Sequence, residues 1–227
     1  MHVTEWQVPQ AQWLLWEAFQ DSNFKPLLEK MMADGRIHDW GLYTNQLHSQ
    51  NGPTHGLWFS AAEMSAVQAV LEAEAHLPAS SLSDNLQVKH RDFLFRKVSE
   101  GGHAAHGAAG ILWVHRTQSS AAKYGQSPAF WEKDLKLLLD GLVEQGVVIS
   151  CGIEIEQSRT QSSGVFYVHC LLAAQAAVDK FFVALTAMQS KMSGAERDEF
   201  NAVPVIQDQE RLGRVTSFGF TELSATE

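Results

Sequence analysis

Hydrophobic residues along this chain recur with two different periods, arranged in alternating blocks. Phe24, Leu27, Leu28, Met31 and Met32 have the 3-1-3-1 spacing of a one-faced helix. Asp21 or Ser22 stands where an N-cap is needed, and Gly35 where a left-handed residue would end the helix. Residues 40–48 and 55–59 read as strands joined by the turn SQNGPT. Ser60 and Glu63 have capping-box spacing ahead of a helix carrying Met64, Val67 and Leu71. Further strands are predicted over residues 13–19 and 86–98.

The second half repeats this order. Residues 111–116 predict a strand. Ser127 and Pro128 open a helix whose stripe is Trp131, Leu135, Leu138, Leu139 and Leu142, with Gly146 to stop it. Residues 148–156 and 165–171 predict a hairpin around QSRTQSSG. Val178, Phe181, Phe182, Leu185 and Met188 mark a helix, and residues 211–220 a last strand. Direct identities accompany the pattern: Leu27, Leu28, Gly35, Gly41, Gln46 and Gln50 recur 111 positions later as Leu138, Leu139, Gly146, Gly152, Gln157 and Gln161. A duplication explains matches that share one offset. The expected division is residues 1–100 as the first repeat, 101–110 as a Gly/Ala-rich linker and 111–227 as the second repeat.

The order β-α-β-β-α-β is the ferredoxin-like unit, which predicts an α+β fold with antiparallel sheets in the spatial order 4-1-3-2. Two such units in tandem resemble the dimeric α+β barrel superfamily, in which two ferredoxin-like sheets close a barrel with helices outside. The segment HRDFLFR (90–96) is similar to the last strand of uncharacterised bacterial members. The resemblance implies a fused barrel, a pseudo-dimer within one chain, with further oligomerisation left open. It also implies a choice of activities: cofactor-independent monooxygenases, small-molecule isomerases, EthD-like proteins and haem-binding chlorite dismutases. A fold alone does not choose among them.

Composition narrows the partners. A net charge of −9 over 227 residues works against a broad phosphate-backbone interface, so no nucleic-acid partner is expected. No apolar run reaches the length of a membrane span, and the first ten residues lack the pattern of a signal peptide. Two cysteines make no disulfide framework. A cytoplasmic, reducing location is therefore expected, with Cys151 and Cys170 as inert buried thiols.

Candidate chemistry follows from strand alternation. If Cys151, Ile153 and Ile155 pack on helices, Glu154 and Glu156 face the barrel. If Phe166, Val168 and Cys170 do the same, Tyr167 and His169 face it. Assigning Leu112 and Val114 to the helices leaves Trp113 and His115 inside. The register pairs Glu154 with His169 and Glu156 with Tyr167. His169 and His115 are the acid–base candidates, with Glu154 to polarise them. Tyr167, Trp113 and Glu156, with Glu17 and Tyr43 from the first half, would contact a small apolar or aromatic ligand. Leu15, Asn45, Leu57 and Phe59 complete the first-half wall, while Trp16 and Trp58 pack on helices.

No cofactor or metal is expected, with haem or a divalent metal at His115, His169 and Glu154 as the lesser alternative. His103 and His106 read as solvated linker histidines, and His48 and His55 as loop histidines. His90, Arg91, Asp92 and Arg96 read as an ion-paired strand that anchors the barrel rim or binds an anionic group. The competing reading is a non-catalytic barrel whose interior is packed and whose surface serves assembly.

Overall fold

The computed structural model describes residues 1–46, 52–77, 88–107, 110–118, 135–157, 165–194 and 208–221. Its strands are β1 (His2–Gln7), β2 (Asp39–Asn45), β3 (His55–Ser60), β4 (Lys89–Gly102), β5 (Ala105–Gly107), β6 (Ile111–Gln118), β7 (Val148–Glu156), β8 (Val165–Leu172) and β9 (Asp208–Phe220). Its helices are α1 (Trp13–Phe19), α2 (Lys25–Ala33), α3 (Met64–Ala75), α4 (Lys136–Glu144) and α5 (Ala177–Lys191).

Both halves have the predicted 4-1-3-2 strand order: β4-β1-β3-β2 in one and β9-β6-β8-β7 in the other. Antiparallel pairing of β4 with β7 and of β9 with β2 joins them into a closed eight-stranded barrel. Closure removes the free edges that an open sheet exposes. The fold is an α+β barrel, with helices on the outside of each half. Gly35 and Gly146 end α2 and α4 at φ +70° and +66°, where a side chain would be strained.

Three apolar clusters result. One lies between the first-half sheet and its helices, around Trp6, Trp16, Leu28, Trp40, Phe59 and Val70. A second packs Trp113, Ile153, Val168 and Cys170 against Leu135, Leu139, Val178 and Phe181. The third fills the barrel with Val3, Trp58, Phe93, Phe95, Leu112, Val114, Leu171, Val215 and Phe218.

Several local expectations are corrected. Residues 13–19 form a helix, and the first strand is His2–Gln7. Trp13, Trp16 and Phe19 are three apart and share one helix face, which packs on the sheet; Trp16 is buried while Leu14 and Leu15 are exposed. A π-turn at Gln20–Phe24 carries this helix into α2, so Asp21 and Ser22 cap nothing. Ser60 ends β3 and donates to Asp39 Oδ1 (3.0 Å) rather than capping α3, whose own N-cap, Glu63, makes no side-chain cap bond. The expected linker is mostly sheet, since β4 runs to Gly102 and β5, which carries His106, pairs with β9. Cys151 and Cys170 lie directly opposite each other on β7 and β8, facing the helices as expected, but they form a disulfide instead of free thiols. His48, Ser127, Pro128 and Trp131 lie outside the described residues.

Candidate functional site

Cross-strand partners share a face, so the registers define the inner wall. Gly152 pairs with His169, and Glu154 with Tyr167, between β7 and β8. Val114 pairs with His169, and Arg116 with Tyr167, between β6 and β8. The inner set from these strands is thus Gly152, Glu154, Tyr167, His169, Leu112, Val114 and Arg116. Across the barrel, Glu5 pairs with Gly56 of β3 and Arg91 of β4, and Gly56 with Tyr43 of β2.

Two charged groups occupy this wall. In the first, Glu154 and His169 form a buried pair with Nδ1 donating to Oε2 at 3.1 Å. The pair sits on Gly152, where a Cβ would lie 2.2 Å from Glu154 Oε1 and 2.6 Å from His169 Cε1. Glu154 Oε1 is buried and has no hydrogen-bond partner among the described residues. Burial opposes a charged imidazole, but the Glu154 carboxylate, its hydrogen bond and the field of Asp39 outweigh this and raise the His169 pKa. Nearby, Lys97 reaches from β4 to Asp39 of β2 (3.1 Å) and also pairs with Glu100. Burial works against the Asp39 carboxylate, and Lys97 more than reverses it, lowering its pKa.

In the second group Glu5 is wholly buried and reaches two arginines. Arg91 donates to Oε2 through Nε (2.7 Å), with Nη2 in ion-pair contact at 2.6 Å, and Arg211, from the far side of the barrel, bonds Oε1 through Nη1. Tyr43 Oη lies 3.4 Å from the same Oε1. Burial pushes the Glu5 pKa up, but Arg211 and Arg91 prevail and hold it below the ordinary carboxylate value. Arg91 and Arg116 both lie over the Phe93 ring, at 5.3 and 5.5 Å.

The predicted residues therefore separate. Glu154, Glu156, Tyr167, His169 and Tyr43 line the barrel, with a register two residues from the expected one. Trp113 and His115 are on the opposite face of β6: Trp113 meets the Phe181 ring at 5.0 Å and stacks on His115 at 5.9 Å. Because every inner and outer position of β6 between Ile111 and Val114 is apolar, hydrophobicity alone did not distinguish its faces. His115 consequently does not converge with His169 and Glu154 on one metal position. Among the described residues no cluster of three or more His, Cys, Asp or Glu is placed to hold a metal ion.

Glu17 is on α1 outside the barrel, bonded to Thr44 Oγ1 (2.8 Å) and Arg214 (3.2 Å), with His55 at 3.8 Å. His55 is thus a buried sheet residue and not an exposed loop one. Leu57 and Phe59 face the helices, while Trp58 points into the barrel. The residues missed were Glu5, Arg116, Arg211, Lys97 and Asp39. A carboxylate between the apolar residues Val3 and Trp6, as Glu5 in HVTEWQ, was the available signal.

The sequence matches no protein-family model and no curated protein. Solved structures are similar in fold. A candidate monooxygenase from Fusobacterium nucleatum is 7% identical, with a TM-score of 0.58 over 98% of this chain and 97% of that one. An anthrone oxidase-like protein is 10% identical, with a TM-score of 0.54 over 100% and 96%. A chlorite dismutase variant from Candidatus Nitrospira defluvii is 12% identical, with a TM-score of 0.56 over 95% and 90%. At these identities the likeness is one of fold. Among the described residues no helix is long and apolar enough to cross a membrane.

Proposed function

We propose that this chain is a small-molecule enzyme of the α+β barrel type, using Glu154 and His169 to move a proton on an apolar, aromatic substrate. The observation that carries the reading is the buried Glu154–His169 pair, seated on a glycine, with one carboxylate oxygen lacking a partner among the described residues. Unsatisfied buried oxygens are rare and call for an explanation. The raised His169 pKa favours the imidazolium form of its ring. Glu154 Oε1 then acts as the base, while His169 orients it and holds the proton to be returned. Two reaction classes use this step without a cofactor. In an isomerisation the proton leaves one carbon and returns to another. In an oxygenation a CH2 group and O2 give a carbonyl and water. The names of the Fusobacterium nucleatum and anthrone oxidase-like proteins favour the second. The shared strand order of the halves, with a positive-φ glycine at the same place in each, supports an origin by duplication.

Anthrone with dissolved oxygen is the first assay, following oxygen uptake and anthraquinone formation. Wild-type protein is expected to exceed the spontaneous rate, and Glu154→Gln and His169→Asn to lose about 10²–10⁴-fold of the excess. Folded variants that retain the wild-type rate would overturn the assignment of the pair. The non-catalytic reading is favoured by a different observation: Trp58, Phe93, Phe95, Leu112, Leu171 and Phe218 fill the described interior. It gains ground if neither anthrone nor a set of model carbon acids reacts above background.

A further inference from the structure

Arg116 is a buried guanidinium that makes no salt bridge among the described residues. It is 7% exposed, on the inner wall of β6 opposite Tyr167. Its Nε is buried without a hydrogen-bond partner, and among the described residues its guanidinium makes no salt bridge. Its visible contact is the Phe93 ring. The neighbouring carboxylate is already committed, because Glu5 takes Arg91 on one oxygen and Arg211 on the other. Among the described residues Glu156, whose field acts on Arg116, brings the nearby carboxylates to two, against three guanidiniums. Among those groups positive charge is in excess.

An uncompensated buried charge is expensive, and proteins rarely keep one without a use. Arg91 and Arg211 add to burial in disfavouring the charged form of Arg116. A guanidinium nevertheless stays ionised, so what it lacks is an anion. A planar fork of N–H donors matches a carboxylate in two parallel hydrogen bonds. Arg91, 28% exposed at its side chain, gives this end of the barrel its contact with solvent, and Phe93 and Phe95 give it an aromatic wall.

We propose that Arg116, assisted by Arg91 over the shared Phe93 ring, is the binding site for the carboxylate of a small aromatic acid. The site does not depend on the Glu154–His169 reading, because the arginines bind and the pair reacts.

The test uses sodium benzoate as the probe, at pH 7 and constant ionic strength balanced with sodium chloride. Calorimetry and thermal unfolding are read together. Benzoate should bind wild-type protein saturably with one site and raise its Tm. Arg116→Gln should bind at least tenfold more weakly, yet unfold in plain buffer at or above the wild-type Tm. Arg116→Lys should fall between, and the exposed Arg36→Gln should bind as wild type. Glu154→Gln should still bind benzoate, so failure of the catalytic pair and failure of this site are separately visible. Should Arg116→Gln not fold, the Nε–H resonance of Arg116 in wild-type protein serves instead, and it should shift on benzoate addition. Absence of a benzoate effect beyond that of chloride overturns the proposal. So does equal binding by Arg116→Gln, a Nε–H resonance that does not move, or tighter binding of inorganic phosphate than of benzoate.

Discussion

Replacing Glu5 by Gln keeps the size of a side chain that holds two strands together across the barrel and removes its charge. Arg91 and Arg211 then face each other and Arg116 with Glu156 as the remaining nearby carboxylate. Breaking a buried ion pair from one side costs about 3–5 kcal/mol, because the partner is left charged and unpaired. Arg91 can relax toward solvent, whereas Arg211, 9% exposed at its side chain, cannot follow it easily. The lower end, about 3 kcal/mol, is therefore expected at pH 7. Urea unfolding with a slope of about 2 kcal/mol/M would show this as a midpoint lower by about 1.5 M, with the slope unchanged. The pH dependence adds a signature. The Glu5 pKa is lowered on folding, so its contribution is fully present above the ordinary carboxylate value and is lost as pH falls through the lowered one. The gap between wild-type and variant stabilities should begin to narrow as pH falls below the ordinary carboxylate value and close only below the lowered Glu5 pKa. Removing Arg211 as well, as Glu5→Leu with Arg211→Leu, should recover part of the loss. A change under about 1 kcal/mol at pH 7, or one that does not shrink in acid, would refute the view of Glu5 as the cross-barrel counter-ion.

Three other changes test separate parts of the structure. Gly152→Ala places a methyl group 2.2 Å from Glu154 Oε1, so the pair must move; a loss of about 1–3 kcal/mol and a fall in the His169 pKa, read by NMR titration, are expected. Cys151→Ser with Cys170→Ser opens a bridge between residues 19 apart, and chain-entropy reasoning gives a loss of about 3 kcal/mol in chemical denaturation, matched by the reduced wild type. Gly35→Ala and Gly146→Ala each force a side chain into φ near +70° and should cost about 1 kcal/mol of thermal stability apiece, with no steric clash to enlarge it.

Much of the architecture was legible because two signals were local and strong. The stripe of Leu27, Leu28, Met31 and Met32 and its echo 111 residues later placed α2 and α4, and the glycines after them both adopt the left-handed conformation. The strand order followed from the repeat. The first strand was expected at residues 13–19 and lies instead at HVTEWQ, whose central glutamate is unlike a core strand. Glu154, Glu156, Tyr167 and His169 lie on the inner wall as expected, because polar residues alternating with Ile and Val disclose a face. Trp113 and His115 were misplaced because β6 up to Val114 has no polar residue to disclose one; Arg116, read instead of Trp113, would have given the correct parity. The disulfide was not foreseen, because two cysteines alone carry no pairing information until the register of β7 against β8 sets Cys151 opposite Cys170.

The closed barrel also explains where its charges can reside. Eight strands enclose an interior just wide enough for side chains to fill. Aromatic residues pointing inward from neighbouring strands cannot all fit unless small residues alternate with them. Several large inner side chains are met by a glycine: Trp58 covers Gly41, Tyr43 covers Gly56 and Gly213, and the Glu154–His169 pair covers Gly152. In the first half the space over the glycines is taken by rings that close it. In the second half the corresponding space over Gly152 holds a carboxylate and an imidazole, whose polar atoms must be satisfied by each other or by something that enters. Gly41 and Gly152, 111 residues apart, thus lie under an indole in one half and under a carboxylate and an imidazole in the other. Exchanging the occupants of a glycine notch leaves the barrel wall unchanged, and this is a physical route by which two halves with the same strand order come to differ in what they can do.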